Sequence, residues 1–318
     1  MTLSFTQEAD FRKEREFGQK ISAAFEFIQA HWRPLGRVLL YTVLPAALLQ
    51  GVLSSTLQVT LWNKVLTNPS GNEGARGLQQ MALMNEKIGS PVFWLSTLVS
   101  VAFFALVMLS VYGYLLLCLR REPGAAAAAD IRPADVWAVI RREFVGTCLA
   151  IIGLYLLTLL ATLLFVLPGI YLGVVLSLFF IVRLVEGTGF RATLSRCRYL
   201  MQGKWWSTFG LIMVMSLLLY ALLLVPGLLA GVLGGGLAVL AQDGLFKSQI
   251  FLVVFSALGT LLTLFFYPPL LLVLAFQYFN LVERRDGTGL RSLVGQLGQP
   301  APAAPRNASL RADEEGEY

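Results

Sequence analysis

Charge is what this chain has least of. Only 14% of its 318 residues are Asp, Glu, Lys or Arg, against 56% hydrophobic, and the mean hydropathy is +0.68. So few charges cannot cover a soluble fold that buries this much apolar side chain, which makes lipid the solvent for most of the chain. Histidine is reduced to His31 alone, so a metal site built on histidines is excluded and hydrolytic chemistry lacks its commonest base. Cys118, Cys148 and Cys197 lie at or near the ends of apolar segments, at spacings that match no metal or redox motif. Three cysteines form no complete disulfide framework. An early apolar core is also missing from the first 37 residues, which carry charges of both signs; this is not a signal peptide, and retention in the mature protein is expected.

Long apolar runs are what the chain has in excess. A spanning helix takes about 20 apolar residues. Val38–Leu57, Val92–Leu119, Val145–Leu167 and Ser207–Val225 qualify without an internal charge. Pro168–Val185 starts at a proline, where a helix tolerates that residue best, and at 1.5 Å per residue it covers about 27 Å. Ile250–Val282 is interrupted by Pro268 and Pro269, and forms either one kinked helix or an outer segment joined to a crossing helix. The expected fold is thus all-α with about six spans. The glycine-rich stretch from Gly227 to Ala241 allows a re-entrant segment or an eight-pass alternative.

The net charge of +6 and pI near 9.3 would suggest nucleic acid in a soluble protein. Here the basic residues flank apolar segments, so anionic lipid headgroups are the simpler partner and nucleic acid is not expected. The N-terminal arm holds Arg12, Lys13, Arg15, Lys20, Arg33 and Arg37, and the loop after the second span holds Arg120, Arg121, Arg132, Arg141 and Arg142. Arg183, Arg191, Arg196, Arg198 and Lys204 follow the next inward crossing, and Arg284, Arg285, Arg291, Arg306 and Arg311 the last. The opposite loops hold only Lys64, Arg76, Lys87 and Lys247, leaving 21 of the 25 basic residues on one side. By the positive-inside rule that side, with both termini, is cytoplasmic.

The chain also repeats itself. Pro168–Arg191 and Pro268–Arg291 align without a gap at an offset of 100 residues, sharing the proline, Leu172/Leu272, Phe179/Phe279, Val182/Val282 and an acid-Gly-Thr-Gly turn that begins at Glu186 and Asp286. Arg121-Glu122-Pro123-Gly124 offers a degenerate third turn. A second pattern precedes each outward-going helix. Phe17, Ile21, Phe25, Ile28 and Trp32 fall on one helical face, as do Trp137, Ile140 and Phe144, and then Leu194, Cys197, Met201 and Trp205. With basic residues on their other faces, these segments are expected to lie in the cytoplasmic headgroup layer. Aligning Trp32 with Trp206 also aligns Gly36 with Gly210. The unit is an interfacial helix plus a helical hairpin, used three times in parallel; inverted repeats of the alternating-access kind are not evident. Residues 1–36 form the cytoplasmic arm, 37–285 the six-span domain and 286–318 a cytoplasmic tail, expected to be disordered from about residue 300, where it turns proline-rich and then acidic. Asn63–Ser90 is a polar outer loop with turn signals at Asn68, Pro69, Ser70 and Gly71.

Candidate chemistry is sparse. His31 beside Trp32 fits an interfacial anchor better than a base or ligand. The acid-Gly-Thr-Gly turns lack the Walker lysine spacing and place an acid where an anion would sit, so left-handed C-caps at Gly187 and Gly287 explain them better. Gly169/Gly173 and Gly231/Gly235 suit close helix packing, and the Gly234-Gly235-Gly236 run is too apolar for a nucleotide loop. Within the spans no Asp, Glu, Lys, Arg or His lies away from the interface, which disfavours ion-coupled transport. Gln50, Ser54, Ser55, Ser100, Thr158, Thr162, Ser177, Ser256, Thr260, Gln277 and Asn280 either bond between helices or line a solute or lipid path. Trp32, Trp62, Trp94, Trp137, Trp205 and Trp206 near span ends form an aromatic belt. No catalytic, cofactor-binding or metal-ligating residue is assigned, and no cofactor is expected.

Leu167-Pro168-Gly169, the crossing helix, Glu186-Gly187, Ala192, Ser195, Leu200, Gly203, Trp205, Trp206, Phe209 and Gly210 together carry a resemblance. The stretch resembles a broad group of uncharacterised bacterial six-helix membrane proteins, whose domain is similar to the membrane domain fused to some glycerophosphodiester phosphodiesterases. This chain departs from the fused enzymes in having no catalytic domain. The resemblance implies a fold and a bacterial cytoplasmic-membrane location, and no activity. The expected function is that of a non-enzymatic scaffold or partner subunit presenting a basic cytoplasmic face to anionic lipid, another protein or a second copy. An uncoupled transporter or lipid-handling protein is the alternative, with Gln277 lining its path.

Overall fold

A computed structural model describes residues 8–67, 82, 84–120, 131–240 and 249–287, with side chains described in these except at 8–9, 57–67, 223, 225–240 and 249–265. Among the described residues all regular structure is helical. A short turn α1 (Glu8–Phe11) leads to α2 (Phe17–Thr42) and α3 (Leu44–Thr67), followed by α4 (Pro91–Leu119) and α5 (Pro133–Leu164). Next come α6 (Val166–Leu176), α7 (Phe179–Glu186) and α8 (Phe190–Met201), then the two longest helices, α9 (Trp205–Leu240) and α10 (Gln249–Asp286).

Among the described residues four helical stretches are long and apolar enough to cross a membrane: Pro91–Leu119, Pro133–Leu164, Val166–Glu186 and Trp205–Leu222. The pair α2–α3, bent by 54°, makes a fifth. The bend sits at Val43 because Pro45, in the first turn of α3, has no N–H and its ring crowds the preceding turn. Helix α2 therefore does not end near Arg37; it runs through Pro34 and Gly36 to Thr42. The final apolar block forms one helix rather than two segments, with α10 continuous through Pro268 and Pro269. Gly227–Leu240 extends α9 as helix rather than forming a loop.

The expected entry helices differ in form. Helix α8 is a separate element, set off from α9 by Gly203, whose φ of 72° ends the turn. By contrast, Trp137, Ile140 and Phe144 lie in the first turns of α5, a single helix from Pro133 to Leu164. The helix runs without a break from Phe144 through Val145 and Gly146, so the interfacial stretch and the span are fused. The span from Pro168 is broken at Ser177 and Leu178, and the Ser177 hydroxyl donates to the Val174 carbonyl at 2.8 Å there. The Arg121–Gly124 turn, the Asn68–Gly71 turn signals and the tail from 288 onward lie outside the described residues.

Among the described residues, one core joins stretches of several helices. Residues of α4 from Phe103 to Leu119, of α6–α7 from Val174 to Val182 and of α10 from Leu271 to Val282 are buried together, with α2 and α8 packed on them. Along α5 and α9, by contrast, Leu149, Leu156, Leu160, Leu163, Leu217 and Tyr220 are exposed. Rows of exposed leucine on long apolar helices are surfaces made for lipid.

Candidate functional site

The inward face of α2 is read by period. Lys20, Ala24, Phe27, His31, Leu35, Val38 and Thr42 are buried at steps of three or four residues. The aromatic stripe of Phe17, Phe25 and Trp32 points outward instead. His31 is consequently not an interfacial anchor. It is 3% exposed, its ring stacks on Phe27 at 4.4 Å and meets Tyr114 edge-on at 5.8 Å, and its Nδ1 lies 3.0 Å from the Phe27 carbonyl oxygen.

The N-terminal arm is docked on the end of α10. Phe11 is fully buried against Phe27, Phe276 and Phe279, with ring centroids 6.0–6.3 Å apart. The Arg15 backbone N–H donates to Asn280 Oδ1 at 2.8 Å, and its guanidinium lies 4.9 Å from the centre of the Phe276 ring. Asn280 thus anchors the arm, a role its span position did not suggest.

The two acid-Gly-Thr-Gly turns meet at one residue. Gly187 and Gly287 take left-handed conformations, with φ of 63° and 59°, and each N–H donates 2.9 Å to the carbonyl four residues earlier. This is the helix C-cap expected for both. It leaves Glu186 and Asp286 at adjacent helix ends, and Arg196 of α8 joins them. Arg196 Nε donates to both Glu186 oxygens at 3.0 and 3.1 Å, while its Nη2 bonds Asp286 Oδ2. Tyr278 adds a hydrogen bond to Glu186 Oε1 at 3.1 Å. Burial acts to lower the Arg196 pKa, but its hydrogen bonds to Asp286 and Glu186 and their charges outweigh this and raise it overall. Cys197 beside this network is a thiol pushed up to about 12, first by burial and then by the Glu186 charge, so it is held inert.

Around this joint Lys20, Lys204, Arg284 and Arg285 add positive charge, with Glu14 and Glu283 among them. Lys20 is 4% exposed, and burial first, then the neighbouring charges of Arg284 and Lys204, pull its pKa down from 10.5 to about 8. Arg284 pairs loosely with Glu14 at 3.6 Å, and Arg285 bonds the Gln202 carbonyl with its guanidinium 5.3 Å from the Tyr199 ring centre. The starts of α2 and α9 and the end of α10 together form a cationic rim. Arg183 lies nearby, donating to the Gly146 carbonyl at 2.8 Å and standing 3.8 Å from Glu143.

Four polar residues of the spans serve local ends. Ser54, Ser55, Thr158 and Thr162 donate to carbonyls of their own helices at 2.8–3.1 Å, rather than between helices. Gln277 is fully buried and donates to Thr208 Oγ1 at 2.8 Å. It is packed between α9 and α10 and does not line an open path. Ser256 and Thr260 fall among the side chains outside the described set, as do Gly231, Gly235 and Trp62. Gly169 does mark close packing, since a Cβ there would come within 3.0 Å of the Thr162 backbone; Gly173 faces open space. Trp205 stacks between Tyr171 at 5.8 Å and Phe209 at 5.1 Å, and its Nε1 donates to the Tyr171 carbonyl at 3.2 Å. Trp32, Trp94, Trp137 and Trp206 are exposed, as belt residues would be.

Among the described residues no cluster of three or more His, Cys, Asp or Glu side chains is arranged to hold a metal. No family model, curated protein or solved structure matches this chain.

Proposed function

We propose that the protein is a non-enzymatic, multi-pass scaffold or partner subunit of a bacterial cytoplasmic membrane, with both termini inside and a basic face turned to the cytoplasm. Six crossings serve this reading: α3, α4, α5, α6–α7, α9 and α10. The single observation that carries it is the cationic rim. Three remote segments converge so that the exposed Lys204 and Arg284 both act on the buried Lys20, which places positive charge against positive charge at a cost in stability. A surface that keeps such a cost is fitted to an external anion, whether a lipid headgroup or the acidic patch of another protein. The Arg196 joint supports the rim by locking α7, α8 and α10 together at the same end.

Affinity purification in mild detergent and in nanodiscs tests the proposal, with bound proteins and lipids both identified. Recovery of an associated protein, or enrichment of anionic over zwitterionic lipid, is expected. Recovery of the chain alone, with no lipid preference, would overturn it.

A further inference from the structure

A groove of about 480 Å³ runs between the second half of α2 and the Pro268–Pro269 segment of α10. Its walls are Ile28, Trp32, Leu35, Leu39 and Leu40, with the two prolines opposite and Gly36 in the floor. Its volume lies within the roughly 300–1,000 Å³ usual for small-molecule sites. Gly36 leaves open space where any other residue would place a side chain, with no atom within 4 Å of an added Cβ. The groove's charge separates it from the lipid-facing surfaces elsewhere. Arg33 and Arg37, one helical turn apart, also line it, and both are exposed. Arg33 lies 5.3 Å from the centre of the Trp32 ring. Among the described residues neither guanidinium has an acidic partner.

We infer that this groove is a binding site for one anionic glycerophospholipid, with an acyl chain between α2 and the two prolines and the phosphate on Arg33 and Arg37. An acyl chain gains little by leaving lipid for an apolar groove, because the bilayer is equally apolar. Selection must therefore come from the polar end, and a pair of forked guanidinium donors recognises phosphate oxygens by both charge and geometry. The groove adds shape, holding a single lipid in register with those donors. This narrows the anionic-lipid part of the proposed function to one site and rests on that reading of the protein as a membrane protein that engages anionic lipid.

The test counts lipids retained by the full chain in native mass spectrometry, after nanodiscs of mixed phosphatidylcholine and phosphatidylglycerol are exchanged for detergent. The wild type is expected to keep one phosphatidylglycerol. Gly36→Leu fills the groove while leaving both arginines and a good helix former in place, and should lose that lipid. Arg33→Gln with Arg37→Gln should lose it as well. Arg141→Gln with Arg142→Gln, on exposed residues of α5 away from the groove, should keep it. Circular dichroism and gel filtration confirm that each variant is folded. Equal retention of the two lipids, or wild-type retention by the Gly36→Leu protein, overturns the inference. A dimer mass that Gly36→Leu abolishes would also overturn it, assigning the groove to a second copy. None of these results bears on recovery of a protein partner, so failure here is distinct from failure of the scaffold reading.

Discussion

Glu186 and Asp286, each the acid of an acid-Gly-Thr-Gly turn and 100 residues apart in sequence, are held by the single guanidinium of Arg196. Each acid ends a helix at a left-handed glycine, and α8 supplies the cation between them. Replacing Arg196 with Leu leaves two neighbouring carboxylates, each about a quarter exposed, without their partner. The loss should be about 2–3 kcal/mol, below the value for a fully buried pair because water still reaches these groups. Thermal unfolding in detergent checks it. Adding Glu186→Gln to Arg196→Leu should recover part of the loss, since the pair terms are coupled.

Gly187→Ala and Gly287→Ala should each lower stability by about 1–2 kcal/mol, the cost of a side chain in the left-handed region. Neither new methyl meets an atom within 4 Å, so the cost is conformational rather than steric. Gly189→Ala is the control: its φ is −71° and its surroundings are equally open, so unfolding temperatures should barely change.

Lys20 predicts a pH dependence of definite sign. Below about 8 the folded and unfolded chains are both protonated at Lys20, and the fold bears the cost of the buried charge. Between about 8 and 10.5 the folded chain loses that proton while the unfolded chain keeps it, so stability rises with pH. Lys20→Met should therefore be more stable than wild type at pH 7, and its advantage should shrink across that window. An advantage independent of pH, measured by thermal unfolding, would contradict the assignment.

Gly169→Ala should push α5 from α6 and cost about 1–3 kcal/mol, the range for overpacking. Gly173→Ala, one turn on and facing open space, should be neutral or slightly stabilising in the same assay.

What could be read in the sequence was whatever local chemistry decides. The repeated acid-Gly-Thr-Gly turn implied two C-caps, because only the backbone conformation at glycine was at issue. The continuous helix through Pro268 and Pro269 was one of two readings left open. Arg196 as the joint was hidden, since its partners lie 10 and 90 residues away and no spacing rule links them. Helix α2 shows a different limit. Its aromatic stripe was visible, but hydropathy cannot tell a lipid-facing from a protein-facing side when the solvent is itself apolar. The protein-facing side is built of Ala23, Ala24, Phe27 and His31, and their small or polar members concealed it. The uninterrupted α5 was hidden because a lone glycine, Gly146, stands at the expected junction and the helix runs straight through it.

The account stands on the basic rim facing the cytoplasm. Paired fusions of alkaline phosphatase and green fluorescent protein after Arg142, Gln242 and Arg285 measure this most directly in living bacteria. Fluorescence after Arg142 and Arg285, with phosphatase activity after Gln242, is the result predicted. Phosphatase activity after Arg142 or Arg285 would put the cationic rim outside and contradict the account.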